Sequence, residues 1–279
     1  MIKKIVVKNR IKNPFKIIGI SLVFFLYISP LLLVFLNSFK TTKEFLLSPL
    51  SLPEKLNFQN YIEAFSKMNY IRSFTNSLIV TVFSTLFIIL FSSMTAYILV
   101  RKKWKINKYI FFIMVASMLI PFQAIMIPLV KLFGSIGMMN NVWALIYMYI
   151  GFGVSLAIFI YHGFIKSIPL ELEEAAMIDG ASTIQVFFHV IFPLLRPTTI
   201  TIAVLDMLWI WNDFLLPNLV LLRPSQMTLP LSTYKFYQTY TVDYGLLMSG
   251  LVMTVMPLII VYAFLQKYII KGIIQGSIK

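Results

Sequence analysis

The distribution of charge is the feature that most limits how this chain can fold. No charged residue lies between Lys16 and Lys40, from Ser73 to Val100, from Tyr109 to Val130, or from Leu132 to Ile165. A helix crosses about 30 Å of hydrocarbon in roughly 20 mostly apolar residues. Lipid also forces every backbone N–H and C=O to bond internally, so such runs fold as membrane-spanning helices. The last run opens with Gly134-Ser135-Ile136-Gly137 and Asn140-Asn141, which read as a turn, so its span begins near Val142. Two further runs follow, and the first of them contains Asp206 and Asp213. The sequence predicts an all-α integral membrane protein with six transmembrane helices, over about residues 17–37, 74–100, 109–131, 142–165, 198–222 and 244–266, forming a single transmembrane domain of residues 1–279.

Composition excludes other classes. Of 279 residues, 59% are hydrophobic and 12% charged, where a soluble domain has about 25% charged. That rules out an ordinary soluble globule and any disordered or fibrous class. Cysteine is absent, so a disulfide framework, a thiolate metal site and a cysteine nucleophile are all excluded. The 24 Lys+Arg exceed the 10 Asp+Glu, a net charge of +14. Their placement sets the orientation, because short basic loops stay in the cytoplasm. Lys3, Lys4, Lys8, Arg10, Lys12 and Lys16 precede the first span, Arg101, Lys102, Lys103, Lys105 and Lys108 fill the second loop, and Lys267, Lys271 and Lys279 follow the last span. Both termini are expected in the cytoplasm. The first span is read as a retained anchor, since its apolar run exceeds the 7–15 residues of a signal core. The basic runs flank spans without any recognition module. They favour contact with the lipid bilayer, and no nucleic-acid partner is expected.

The loops carry the more particular signals. The first external loop, 38–72, is long and mixed in sign, with prolines at Pro49 and Pro53, and could cap a cavity or meet a partner. The third, 223–243, holds Tyr234, Phe236, Tyr237 and Tyr240, with Tyr244 just beyond. These suit interfacial anchoring or contact with a ligand or partner. The internal loop 166–197 breaks the basic pattern, setting Glu171, Glu173, Glu174 and Asp179 against Lys166 and Arg196. Pro169 and the acids that follow fit a helix start. Residues 170–178 are helix material, and Gly180 suits the left-handed position that ends it. Ser182 is expected to cap a second short helix, 183–191, which Pro193 terminates. Two short helices joined by a turn would make a handle for a soluble partner.

These same residues carry a family likeness. Glu174-Ala175-Ala176, Asp179-Gly180-Ala181 and Val190-Ile191-Phe192-Pro193 resemble the EAA loop of ABC importer permeases. In that loop EAA is followed after three residues by Gly, and nine residues later by Ile, any residue, Leu and Pro. The spacing fits, with Val190 and Phe192 in place of the usual Ile and Leu. Alone the tripeptide is trivial; with the Gly and Pro at fixed distance, between the fourth and fifth of six spans, it is specific. Asn76-Ser77-Leu78-Ile79-Val80, Pro121-Phe122-Gln123, Ile127-Pro128-Leu129, Asn140-Asn141-Val142-Trp143-Ala144-Leu145-Ile146, Trp211-Asn212-Asp213-Phe214-Leu215-Leu216-Pro217 and Gln266-Lys267-Tyr268-Ile269-Ile270-Lys271-Gly272 are similar to the MalG-like branch of sugar permeases. The likeness covers essentially the whole chain.

The resemblance implies the type I ABC importer permease fold, in the cytoplasmic (inner) membrane of a prokaryote. Its implied partners are a second permease subunit, two ATPase subunits and an extracellular or periplasmic solute-binding protein. It assigns Glu174, Ala175, Ala176, Asp179, Gly180, Ala181 and Pro193 to coupling with the ATPase. The chain contains no G-x-x-x-x-G-K-[ST] sequence for cradling nucleotide phosphates. ATP and Mg therefore fall to the partner ATPase, and this subunit is expected to bind no cofactor and to be no enzyme.

An Asp near the centre of a span costs roughly 2.5–3.5 kcal/mol on insertion scales, so such acids usually face a bundle interior or a wet cavity. Asp206 and Asp213, seven residues apart, would share one helix face with Trp209, Ile210 and Pro217, and Asn212 lies one step round. A stripe of Asp206, Trp209, Asn212 and Asp213 suits a sugar pathway, offering acceptors to hydroxyls and a ring to the apolar sugar face. Bonds to neighbouring helices or to the partner permease are the competing reading, favoured for Asp206. Pro30, Pro121, Pro128 and Pro257 are expected to kink spans. His162 and His189 are isolated and read as no metal ligands. The sequence shows no HExxH and no recognisable Ser/His/Asp arrangement, which disfavours a membrane enzyme. An ion-coupled secondary transporter using Asp206 and Asp213 is the alternative. Against it stand the lack of an internal repeat and a knuckle left without a task.

Overall fold

A computed structural model of the chain describes residues 14–237 and 242–277. Lys3, Lys4, Lys8, Arg10, Lys12, Tyr240 and Lys279 lie outside the described residues. The elements are helical: α1 (Pro14–Asn37), α2 (Thr42–Leu47), α3 (Gln59–Lys67), α4 (Tyr70–Arg101), α5 (Lys105–Ser117), α6 (Phe122–Ser135), α7 (Val142–Ile165), α8 (Glu171–Ile178), α9 (Thr183–Val186), a π-helix (Phe187–Ile191), α10 (Phe192–Leu194), α11 (Arg196–Asn212), α12 (Leu215–Val220), α13 (Leu229–Ser232), a 3₁₀ turn (Thr233–Phe236) and α14 (Tyr244–Ser277). Among the described residues, four helices are long and apolar enough to cross a membrane, or up to six if each sharply bent helix pair is one span. The chain is a multi-pass membrane protein. Its described residues fall into two compact units, one within Met1–Lys67 and Lys235–Met253, the other within Met68–Tyr234 and Thr254–Lys279.

The second unit is built on α4 and α7, which pack along one another, with α11 against both. The inward face of α4 is rich in small residues: Ser73, Ser77, Thr81, Ser84, Ser92, Ser93 and Ala96 are buried beside Val80, Ile88, Tyr97 and Leu99. Lipid tails are as apolar as leucine, so helices in a bilayer associate through close packing, which small residues permit. Gly153 of α7 completes that contact, since a Cβ there would lie 2.5 Å from Cδ1 of Ile88. α7 starts where the Asn141 side chain accepts the N–H of Trp143, and runs from Val142 to Ile165.

Two expected spans are not continuous helices. The segment expected at 109–131 is α5 and α6, meeting at a bend of 101°. Pro121 stands at the N-cap of α6; proline disfavours helix at the residue before it, so Pro121 breaks the helix rather than kinking it. Pro30, Pro128 and Pro257 lie inside helices α1, α6 and α14. The segment expected at 198–222 is α11 followed by α12, with Asp213 between them in an extended conformation (φ −70°, ψ 131°). Pro217 can donate nothing to the carbonyl of Asp213 four residues earlier and its ring would clash there, so α11 ends at Asn212.

In the first unit the loop after α1 is folded. Lys40 is fully buried, and its Nζ donates to the carbonyls of Ser48 (2.7 Å) and Ser51 (2.6 Å). Asn60 of α3 donates to the carbonyls of Ser38 (2.9 Å) and Lys40 (2.8 Å). The start of α14 docks on this loop through Gly245, where a Cβ would come within 2.8 Å of the Lys40 carbonyl. Thr42 donates to Asp243 (2.9 Å), and Phe45 stacks on Tyr244. A cleft of about 700 Å³ lies beside these contacts, lined by Thr41, Lys43, Glu44, Leu47, Lys55 and Leu56 among others.

Candidate functional site

The loop 166–197 folds as a helical knuckle within the second unit. Glu171, Glu173 and Glu174 occupy the first turn of α8, where the helix dipole favours negative charge. Gly180 then takes φ +88°, the left-handed conformation that glycine adopts without steric cost. Ala181 N–H bonds the Ala176 carbonyl and Gly180 N–H bonds that of Met177, each at 3.0 Å, which together make a Schellman close. The turn ends two residues later. Ser182 and Gln185 form a reciprocal capping box at the start of α9.

Contrary to the sequence expectation, Pro193 does not terminate the second helix. The segment Thr183–Leu194 stays helical through it, by widening into the π-helix Phe187–Ile191 in which Phe192 N–H bonds the Phe187 carbonyl. A π turn displaces the carbonyls that a proline ring would meet in a regular helix. The bend comes later, at 75° between Leu194 and Arg196.

The knuckle has two faces. Glu173, Val186, Phe187, Ile191 and Leu195 are buried. Glu174, Ala175, Asp179 and Gly180 are exposed, Ala176 and Ala181 are half-buried and Pro193 is exposed. Large apolar side chains stand among them in the open: Ile178 is 86% and Ile184 68% exposed, with Leu172 and Met177 also accessible. An apolar patch rimmed by polar residues is what an interaction surface looks like.

Glu173, which in the sequence is one acid among four, stands apart in the structure. Its carboxylate accepts Arg101 Nε at 2.5 Å and the Tyr97 hydroxyl at 2.8 Å. Nothing local distinguishes it from Glu171 or Glu174; its partner Arg101 is 72 positions away and reads as one of a basic loop.

Asp206, Trp209, Asn212 and Asp213 separate into two groups. Trp209 and Asp213 line a common cavity of about 310 Å³, together with Phe122, Gln123, Phe152, Leu215 and Leu216. Asp213 Oδ2 accepts from the Tyr149 hydroxyl and Oδ1 from Leu215 N–H, both at 2.9 Å. Tyr149 also sets its ring edge-on to Trp209, centroids 5.5 Å apart. Asn212 does not line the cavity; its amide is bonded back to the Leu208 carbonyl at 2.8 Å. Asp206 is buried away from it, with Oδ2 unpartnered. The helical stripe expected from seven-residue spacing is thus broken at Asn212, because Asp213 is no longer on α11. His162 stacks on Phe111, and His189 faces the Gln185 carbonyl.

A cavity of this kind has an aromatic wall at Trp209, Phe122 and Phe152 and polar groups at Gln123 and Asp213. Its size is at the small end of ligand pockets, which run about 300–1,000 Å³.

Comparison with known proteins places these features. Residues 88–275 match the family described as "Binding-protein-dependent transport system inner membrane component". The chain is 47% identical over 254 residues to the probable starch degradation products transport system permease protein AmyC of Thermoanaerobacterium thermosulfurigenes, covering 91% of this chain and 92% of that one. It is 35% identical to the diacetylchitobiose uptake system permease protein NgcG of Streptomyces coelicolor, covering 90% and 84%. Its fold is similar to a chain in the crystal structure of a bacterial ABC transporter involved in the import of the acidic polysaccharide alginate, with TM-score 0.79 at 24% identity over 93% of this chain and 98% of that one.

Proposed function

The chain belongs to the family of binding-protein-dependent transport system inner membrane components, and we propose that within it the chain is a permease subunit of an ATP-driven sugar or oligosaccharide importer in the cytoplasmic membrane of a prokaryote. AmyC and NgcG, whose names refer to starch products and diacetylchitobiose, support a carbohydrate cargo. In this reading residues 1–279 act as one permease domain that crosses the bilayer six times, through α1, α4, the α5–α6 pair, α7, α11 with α12, and α14. Both termini lie in the cytoplasm, as the basic residues flanking the spans direct. A solute-binding protein delivers the sugar outside, a second permease subunit completes the channel, and two ATPase subunits hydrolyse ATP. This chain has no ATPase site of its own.

The observation that carries the reading is the knuckle. A compact, capped element with Ile178 and Ile184 exposed on a water-facing loop has a use only if a partner covers it. Glu174, Ala175, Ala176, Asp179, Gly180, Ala181 and Pro193 form or shape that surface, and it meets the ATPase. ATP binding shifts the permease only through contacts that differ between its inward- and outward-facing states. Trp209 and Asp213 lie on the sugar path, while Asn212 and Asp206 stand outside the cavity. The ion-coupled alternative loses one of its two acids, because Asp213 is already held by Tyr149 and Leu215.

The test is reconstitution of the permease pair with its ATPase and binding protein. Oligosaccharide-loaded binding protein should stimulate ATP hydrolysis, and uptake should require ATP. Uptake by this chain alone on an ion gradient would contradict the proposal.

A further inference from the structure

The end of α4 that meets the internal loop is tied to both halves of the knuckle. Tyr97 and Arg101 stand one turn apart on α4, on the same face. The Tyr97 hydroxyl donates to Glu173 Oε2 at 2.8 Å, and its ring lies against Phe187 of the π-helix with centroids 5.3 Å apart. Arg101 Nε donates to Glu173 Oε1, while Nη2 donates to the Ile168 carbonyl at 2.9 Å, just ahead of α8. Glu173 is 1% and Phe187 3% exposed. Neither can reach a docked protein, although the adjacent Glu174 and Ala175 can.

We propose that Tyr97, Arg101 and Glu173 form a coupling strut, a set of positioning residues through which displacement of the knuckle is delivered to α4. The proposal rests on the reading of the knuckle as the ATPase dock. Both carboxylate oxygens of Glu173 are occupied from α4, and the rigid guanidinium fork of Arg101 spans two acceptors at once. A buried charge pair resists separation, because either ion left alone would be uncompensated. Movement of α8 therefore carries α4 with it. α4 in turn is packed along α7, which supplies Tyr149 and Phe152, and against α11, which supplies Trp209. The strut thus connects the exposed dock to the walls of the cavity. Glu174 and its neighbours on the outer face hold the partner, and Glu173 on the inner face transmits.

The experiment uses the complete importer in nanodiscs. It reads ATPase stoichiometry, hydrolysis stimulated by the binding protein, and oligosaccharide taken up per ATP, in wild type and in Glu173→Gln, Arg101→Lys and Tyr97→Phe. Arg101→Lys keeps the charge but cannot bridge Glu173 and the Ile168 carbonyl with a fixed fork, so it serves if Glu173→Gln fails to accumulate. Expected is a full complement of ATPase in each variant, with uptake per ATP reduced about tenfold in Glu173→Gln and Arg101→Lys and about two- to threefold in Tyr97→Phe. Wild-type uptake per ATP in Glu173→Gln or Arg101→Lys would overturn the strut. So would loss of the ATPase from these variants, which would make the cluster part of the dock's own stability. A wild-type chain that binds no ATPase would instead contradict the functional reading, and the strut with it.

Discussion

Tyr149 and Asp213 are joined across the break between α11 and α12, the tyrosine hydroxyl donating to the carboxylate at 2.9 Å from a fully buried position on α7. The other carboxylate oxygen accepts the N–H of Leu215 and so starts α12. Asp213 therefore holds a break in the helix and forms part of a cavity wall at the same time. Tyr149 sets both that carboxylate and, through its ring, Trp209.

Loss of the hydroxyl in Tyr149→Phe should cost about 1.5–3 kcal/mol, the usual net value of a hydrogen bond to a charged group, and should weaken uptake. Asp213→Asn, which can still accept from Leu215, should be milder than Asp213→Ala, which loses both bonds. Thermal unfolding of the purified chain and sugar uptake by the assembled importer check the two effects. An Asp213→Ala importer with wild-type rate and apparent affinity would remove Asp213 from the pathway.

Gly180 is in the left-handed region at φ +88° with open space around the place a Cβ would occupy. Backbone strain, not collision, governs substitution there. Gly180→Val should cost about 1–2 kcal/mol locally, leaving the protein in the membrane but detaching or uncoupling the ATPase. Gly180→Asn, a residue that tolerates this conformation, should retain more activity. Equal, wild-type ATPase retention and stimulated hydrolysis in both variants would contradict the role given to the turn.

What the sequence disclosed follows the range of the interactions involved. The ends of α7 are set by local signals, the Asn141 cap and Lys166 at the end of the apolar run, so the sequence places them to within a few residues. The knuckle was legible for the same reason: Gly180, Ser182 and Gln185 act within a few residues of themselves. Asp213 was misplaced on a helical stripe because its conformation depends on Pro217 and on Tyr149, which is 64 positions away. A π turn leaves no mark in residue type, so from sequence Pro193 reads as a stop. The α4 face was hidden as well, since serines and threonines that look like ordinary polar residues are the close-packing surface.

That packing surface is testable at Gly153. Its added Cβ would meet the far end of the Ile88 side chain at 2.5 Å, so Gly153→Ala should destabilise by about 1–3 kcal/mol through overpacking. Ile88→Val removes the obstructing Cδ1 and should restore most of the loss in the double variant. Unfolding temperatures of the single and double variants decide it; additive losses would mean that Ile88 can already move aside.

Lys40 organises the loop after α1 by donating to the Ser48 and Ser51 carbonyls. Lys40→Met keeps the stem but removes both bonds from the charged donor, at about 1.5–3 kcal/mol. Added protease should then cut residues 41–57 faster than in wild type. Unchanged cleavage would show that the loop is held by Asn60 and Gly245 without the lysine.

The most direct test of the knuckle as the ATPase dock is ATPase co-purification and ATP-dependent oligosaccharide uptake by the assembled importer, comparing wild type with Ile178→Asp/Ile184→Asp. These two side chains are exposed, so the double variant should fold and remain in the membrane. Expected is a wild-type importer that retains its ATPase and takes up sugar only with ATP and binding protein, and a variant that loses both ATPase and uptake. Retention of the ATPase with undiminished uptake in the variant would contradict the dock, and uptake by the wild-type chain without any ATPase would contradict the importer.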